Sequence, residues 1–119
     1  MKIILDTNFI VDSIRFRVRI FSELEGNEIY ILDTIEKELD SIIKKGTNES
    51  KLAKIAKQVL ETKGLKVLES IGKNTDDSLL AYSQKNYAIA TQDSLLRNLI
   101  KKRGGNVAYI RQGKYVVIE

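Results

Sequence analysis

Lys2-Ile3-Ile4-Leu5-Asp6-Thr7-Asn8-Phe9-Ile10 opens the chain with a short aliphatic run that ends on a carboxylate. Three consecutive aliphatic residues read as a strand buried on both faces, as in a parallel sheet covered by helices. An acid placed directly after such a strand stands at its carboxyl end, the edge where open α/β sheets gather their function. Tyr87-Ala88-Ile89-Ala90-Thr91-Gln92-Asp93 repeats the arrangement, with Asp93 just beyond a second buried strand.

Around these two segments, apolar runs of strand length alternate with longer stretches of helical period. That alternation predicts βαβ units and an α/β fold on a central, mainly parallel sheet. Strands are expected at Lys2–Leu5, Glu28–Leu32, Lys66–Leu68, Tyr87–Ala90 and Val107–Ile110, and a last one, Tyr115–Ile118, is expected to return antiparallel at an edge. The plainest helix is Glu49–Lys63, where Leu52, Ile55, Ala56, Val59 and Leu60 recur at spacings of three and four. Gly64 stands where a helix end calls for a left-handed residue. Asp33 or Thr34 is expected to cap the helix that carries Glu38, with Asp33 and Glu36 at capping-box spacing. Asp76 and Asp77 are expected to open a helix over Ser78–Gln84, and another runs from about Ser94 to Arg103, closed by Gly104-Gly105. The polar break Lys45–Asn48 is the expected mobile segment. With 119 residues and no proline, repeat or linker, residues 1–119 are read as a single domain.

The chain contains neither cysteine nor histidine. Zinc sites built on those residues, thiol nucleophiles and Ser-His-Asp triads are therefore excluded. Any metal must be held by oxygen, which selects hard cations such as Mg²⁺ or Mn²⁺. A net charge of +4 favours a polyanionic partner such as nucleic acid. No apolar run approaches the roughly 20 residues of a membrane span, and the opening segment is too short for a signal peptide. The expectation is a cytoplasmic protein without a membrane partner.

Each acid can be read in two ways. Asp6 and Asp93 can cap the helices that follow them, and Asp76 and Asp77 can be first-turn acids that favour a helix N-terminus. Glu38, in Glu36-Lys37-Glu38-Leu39-Asp40, can be a solvated helix residue. Read together, however, they are acids gathered toward one edge of a sheet, where mutual repulsion calls for protons or cations. A divalent ion meets that need and can activate a water for attack on phosphorus.

Asp6-Thr7-Asn8-Phe9-Ile10 resembles the opening motif of PIN domains, and Glu38-Leu39 resembles the second acidic position of that family. Asp77-Ser78-Leu79-Leu80-Ala81 is similar to the third and Ala90-Thr91-Gln92-Asp93 to the fourth, all in the family's order. The tail Tyr115-Val116-Val117-Ile118-Glu119 and the paired Asp76-Asp77 resemble the branch that includes ribosomal-RNA processing nucleases. The resemblance implies a three-layer α/β/α sandwich and a Mg²⁺- or Mn²⁺-dependent ribonuclease. Carried over residue by residue, it implies metal-site and catalytic acids at Asp6, Glu38, Asp77 and Asp93, with Asp76 an extra ligand or a helix cap. Asn8 and Thr91 become supporting groups. Arg15, Arg17, Arg19, Lys44 and Lys45 are the candidate RNA contacts. The resemblance also implies a homodimer.

Three other readings are weighed. A dehalogenase-type phosphatase needs a second Asp where Asn8 stands. A non-catalytic assembly module, with a ribosome-assembly partner, usually lacks some of the acids. A VapC-like toxin, with an antitoxin partner, shares the acids and the length.

Overall fold

In β1 (Lys2–Leu5), Ile3 and Leu5 enter one core and Ile4 enters another, and all three are buried. That split follows from the two-residue period of a strand. The computed structural model describes residues 1–119, and the same division runs through it. The first core joins Phe9 and Ile10 of α1 (Thr7–Arg15), Ile20 of α2 (Ile20–Glu23), Ile35 and Leu39 of α3 (Ile35–Lys44), and Ala53, Ala56 and Leu60 of α4 (Asn48–Lys63). The second joins Leu79 and Tyr82 of α5 (Thr75–Ser83) and Leu96 and Ile100 of α6 (Ser94–Lys102). Two helical layers therefore enclose one sheet. Each fully buried aliphatic side chain contributes about 1.5–3 kcal/mol relative to exposure.

The sheet has the order β3-β2-β1-β4-β5-β6. Here β2 is Glu28–Leu32, β3 Lys66–Leu68, β4 Tyr87–Ala90, β5 Val107–Arg111 and β6 Tyr115–Ile118. The first five strands run parallel, and β6 returns antiparallel through the turn at Gln112-Gly113. All six lie where the apolar runs place them. Strand order turns back between β1 and β4, which pair Leu5 with Ala90. This is the topological switch point, where the first connections on either side diverge and leave a crevice.

Two helix starts differ from the sequence expectation. The capping box before α3 does not form: Thr34 is the N-cap with a helical backbone (φ −88°, ψ −3°) and makes no side-chain cap bond. Asp33 is instead drawn to the end of β3, where it accepts bonds from the Ser70 hydroxyl and backbone N–H. Neighbouring strands outcompete the local motif. Helix α5 begins three residues earlier than expected, because the Asn74 side chain accepts from Asp77 N at 2.9 Å and caps it. Asp76 and Asp77 consequently lie inside its first turn, with consequences for the site.

Helix α4 ends as its pattern predicts, with Gly64 left-handed at φ 59°. No helix is long and apolar enough to cross a membrane.

Candidate acidic active site

Asp6 leaves β1 and becomes the N-cap of α1, its Oδ1 accepting from Thr7 N at 2.9 Å. Its backbone N–H continues the ladder by donating to Ala90 O of β4. Both the ligand and the cap readings of this residue thus describe one geometry. Asp93 is placed in the same way beyond β4, with Oδ1 accepting from Leu95 N and Leu96 N to cap α6. Only one carboxylate oxygen of each acid is used by its helix. The second oxygen of Asp6 accepts from the hydroxyl of fully buried Thr91 at 2.7 Å, and that hydroxyl accepts in turn from Asp93 N at 3.2 Å. Asn8 Oδ1 accepts from Gln92 N at 3.0 Å, which ties α1 to the segment after β4.

Glu38 reaches the same place from α3. Its two oxygens accept from Thr7 Oγ1 at 2.9 Å and Thr75 Oγ1 at 3.0 Å, so the side chain links a helix of each layer across the sheet edge. These bonds hold a side chain that would otherwise be a solvated helix residue.

Asp6, Thr7, Asn8, Val11, Asp12, Glu38, Ser41, Ile42, Glu49, Thr75, Asp76 and Asp93 line one open cleft of about 440 Å³. Six of these twelve residues are carboxylates and none is Lys or Arg. Asp6 carries the electrostatic consequence. Burial pushes its carboxyl up to about 6, helped by the negative charges of Glu38 and Asp76 and opposed by the bonds from Thr91 and Thr7. Asp12 is also raised, first by burial and then by Glu49, against the pull of Arg15.

Asp77 does not line the cleft. Its carboxylate turns back to its own loop, accepting from Lys73 N at 3.3 Å and packing against Gly72. Gly72 has φ 81°, and a Cβ there would sit 2.9 Å from the Asp77 Cβ. Successive helix residues are rotated by about 100°, so with Asn74 as cap only Asp76 of the pair reaches the cleft. Of the pair, the sequence reading put Asp77 in the site with Asp76 as an extra ligand or a cap; in the structure Asp76 lines the cleft and Asp77 does not.

The expected cations are scattered. Arg15 borders the cleft, ion-paired to Asp12 at 2.9 Å and to Glu49. Arg17 is exposed, and Arg19 lines a separate hollow. Lys44 and Lys45 are exposed at the end of α3, one turn beyond the cleft residues Ser41 and Ile42. Sequence reading passed over Asp12, Glu49, Thr7 and Thr75. Asp12 carried a usable signal, since it lies four residues after Asn8 and so on the same face of α1. Thr75 carried none.

The donor set suits a hard divalent cation: exclusively oxygen, strongly anionic and concave. Asp6, Glu38, Asp76 and Asp93 are the residues that would hold it. In the present arrangement no three acids converge closely enough to form a ligand set by themselves; Thr and backbone donors hold Asp6, Glu38 and Asp93 apart at the rim in fixed orientations.

The sequence matches the family model described as a PIN like domain over residues 3–113. No curated protein matches it. Among solved structures, the PIN domain endonuclease Utp24 is 24% identical and superposes with a TM-score of 0.78, covering 99% of this chain and 90% of that one. A domain of a functionally unknown protein from Methanocaldococcus jannaschii DSM 2661 is 17% identical, with a TM-score of 0.67 over 92% of this chain and 91% of that one. At these identities the likeness is one of fold.

Proposed function

Starting from the fact that this chain belongs to the PIN-like domain family, we propose that it is a divalent-metal-dependent endoribonuclease whose site acids are Asp6, Glu38, Asp76 and Asp93. The observation that carries this reading is the cleft at the β1–β4 switch point, with six carboxylates and no cation among its lining residues. Such a concentration of negative charge repels a phosphodiester unless positive charge is supplied. The similar Utp24 structure is that of a PIN domain endonuclease, which favours phosphodiester cleavage, and the resemblance of the C-terminal tail and of Asp76-Asp77 to the ribosomal-RNA processing branch favours RNA as the substrate.

A Mg²⁺ or Mn²⁺ ion bound to these oxygens would activate a water and offset charge on the leaving oxygen. The chain's own contribution is placement. Thr91 orients Asp6 and, through Asp93 N, the start of α6; Thr7 and Thr75 orient Glu38. Asp77 is assigned to holding the loop before α5 and not to the chemistry. Arg15 at the cleft edge, with Arg17, Lys44 and Lys45 beyond it, supplies phosphate contacts outside the acid cluster.

The test is cleavage of a labelled, partly structured RNA by wild type and Asp93→Asn in EDTA, Mg²⁺ or Mn²⁺. Cleavage should require the metal and fall by about 100-fold or more in the variant. Metal-independent cleavage, or an unimpaired variant, would sink the reading.

A further inference from the structure

Helices α1 and α4 wall two hollows. The first is the acidic cleft, to which they contribute Asn8, Val11, Asp12 and Glu49. The second, of about 270 Å³, is lined by Ser13 and Ile14 of α1, Val59 and Lys63 of α4, and the segment Val18–Ser22. Its character is opposite. Its charged residues are Arg19 and Lys63, and no carboxylate lines it. Neither cation is in an ion pair, whereas Arg15, between the two hollows, has two. The floor is apolar, with the ring of Phe21 covered by the Lys63 ammonium at 4.8 Å.

We infer that this second hollow binds one nucleotide of the RNA strand whose scissile bond lies in the acidic cleft, the base against the apolar floor and the phosphates on Arg19 and Lys63. The inference rests on the ribonuclease reading and extends it to a substrate site remote from the chemistry. Size supports a single nucleoside, since the volume falls below the roughly 300 Å³ at which drug-sized pockets begin. The chemistry supports it too: the aliphatic floor of Ile14, Ile20 and Val59 packs against any base face, and unpaired cations beside it donate to phosphate oxygens. Continuity identifies the occupant. Glu49 and Lys63 lie on the same α4 helix, about 21 Å apart at 1.5 Å per residue. A stacked strand rising about 3.4 Å per nucleotide covers that distance in about six nucleotides, and an extended one in fewer.

The site therefore predicts a dependence on RNA length. Wild type, Arg19→Ala/Lys63→Gln and a control, Lys51→Ala/Lys54→Ala, are compared on single-stranded RNAs of 4 and 12 nucleotides. The control removes equal charge from α4 residues outside the hollow. Thermal melting verifies that each variant is folded. In Mg²⁺, the hollow variant should show about a tenfold higher KM for the 12-mer with kcat retained, and unchanged kinetics on the 4-mer. Its salt dependence of 12-mer binding should weaken by roughly 0.7 in log–log slope per lost contact.

Equal losses in the control pair, or equal losses on both lengths, overturn the inference while leaving the ribonuclease reading intact. So does a hollow variant that matches wild type on the 12-mer, an outcome that reassigns Arg19 and Lys63 to a protein partner or to solvent. A wild type that cuts and binds neither RNA overturns both readings.

Discussion

Asp6 and Asp93 follow strands, whereas Glu38 and Asp76 ride on helices, and the two pairs reach the same cleft by different means. The strand-end acids are fixed by the sheet itself: each caps a helix with one oxygen, and a single buried hydroxyl, Thr91, touches both residues. Glu38 is held only by side-chain hydroxyls from α1 and α5, and Asp76 only by where α5 happens to begin. The first pair is placed by backbone geometry, the second by packing between layers. Positions of the first kind should be rigid and costly to disturb, and those of the second adjustable when a cation binds.

The sharpest way to break this comparison is the adjacent pair on α5. Asp76→Asn should reduce metal-dependent cleavage about 100-fold, while Asp77→Asn should leave cleavage within about threefold and cost roughly 0.3–1 kcal/mol in thermal or urea stability through the lost negative charge in the first turn of α5. The reverse order would return the third site acid to Asp77 and show that α5 starts later when the site is working.

The threonines give an intermediate effect. Thr91→Val leaves a buried Asp6 oxygen without its donor and should cost about 1–3 kcal/mol of stability. Thr75→Val should barely change stability yet raise the metal concentration for half-maximal cleavage about tenfold, because it frees Glu38. If both variants shift stability and metal response alike, the division into backbone-placed and packing-placed acids fails.

A further test lies in the pH dependence of the metal-free fold. The carboxyl of Asp6 sits at about 6 in the folded chain against an ordinary 3.8, so between those values the folded state binds more protons than the unfolded one. By linkage, this group's contribution falls as pH rises from about 4 to about 6, by on the order of 2–3 kcal/mol, and is constant above. In EDTA, Asp6→Asn should therefore gain on wild type in melting temperature across that window. A gap that does not change between pH 4 and pH 7 would mean that Asp6 is not held against its charge.

How much of this was legible varies by residue. Asp6 and Asp93 could be read directly, because an acid that follows a buried strand has one place to go in an open parallel sheet. Glu38 was found through the order of motifs, since nothing local distinguishes it from Glu36. For the Asp76-Asp77 pair the sequence assigned Asp77 to the site and left Asp76 as an extra ligand or a cap, whereas in the structure it is Asp76 that lines the cleft. The difference turns on Asn74, whose side chain starts the helix three residues before the expected Ser78. The expected capping box at Asp33 failed for a related reason, as Ser70 on the adjacent strand end took the carboxylate.

By itself the sequence determined the strands and the acids at their ends, because buried runs and helical periods are short-range patterns that each segment carries alone. Tertiary structure alone decided which face α5 turns to the cleft, that Thr7 and Thr75 clasp Glu38, and that Arg15 spans Asp12 and Glu49. Those relations join residues up to 37 positions apart along the chain. They depend on rotation about a helix axis and on spacing between layers, which only the packed molecule fixes.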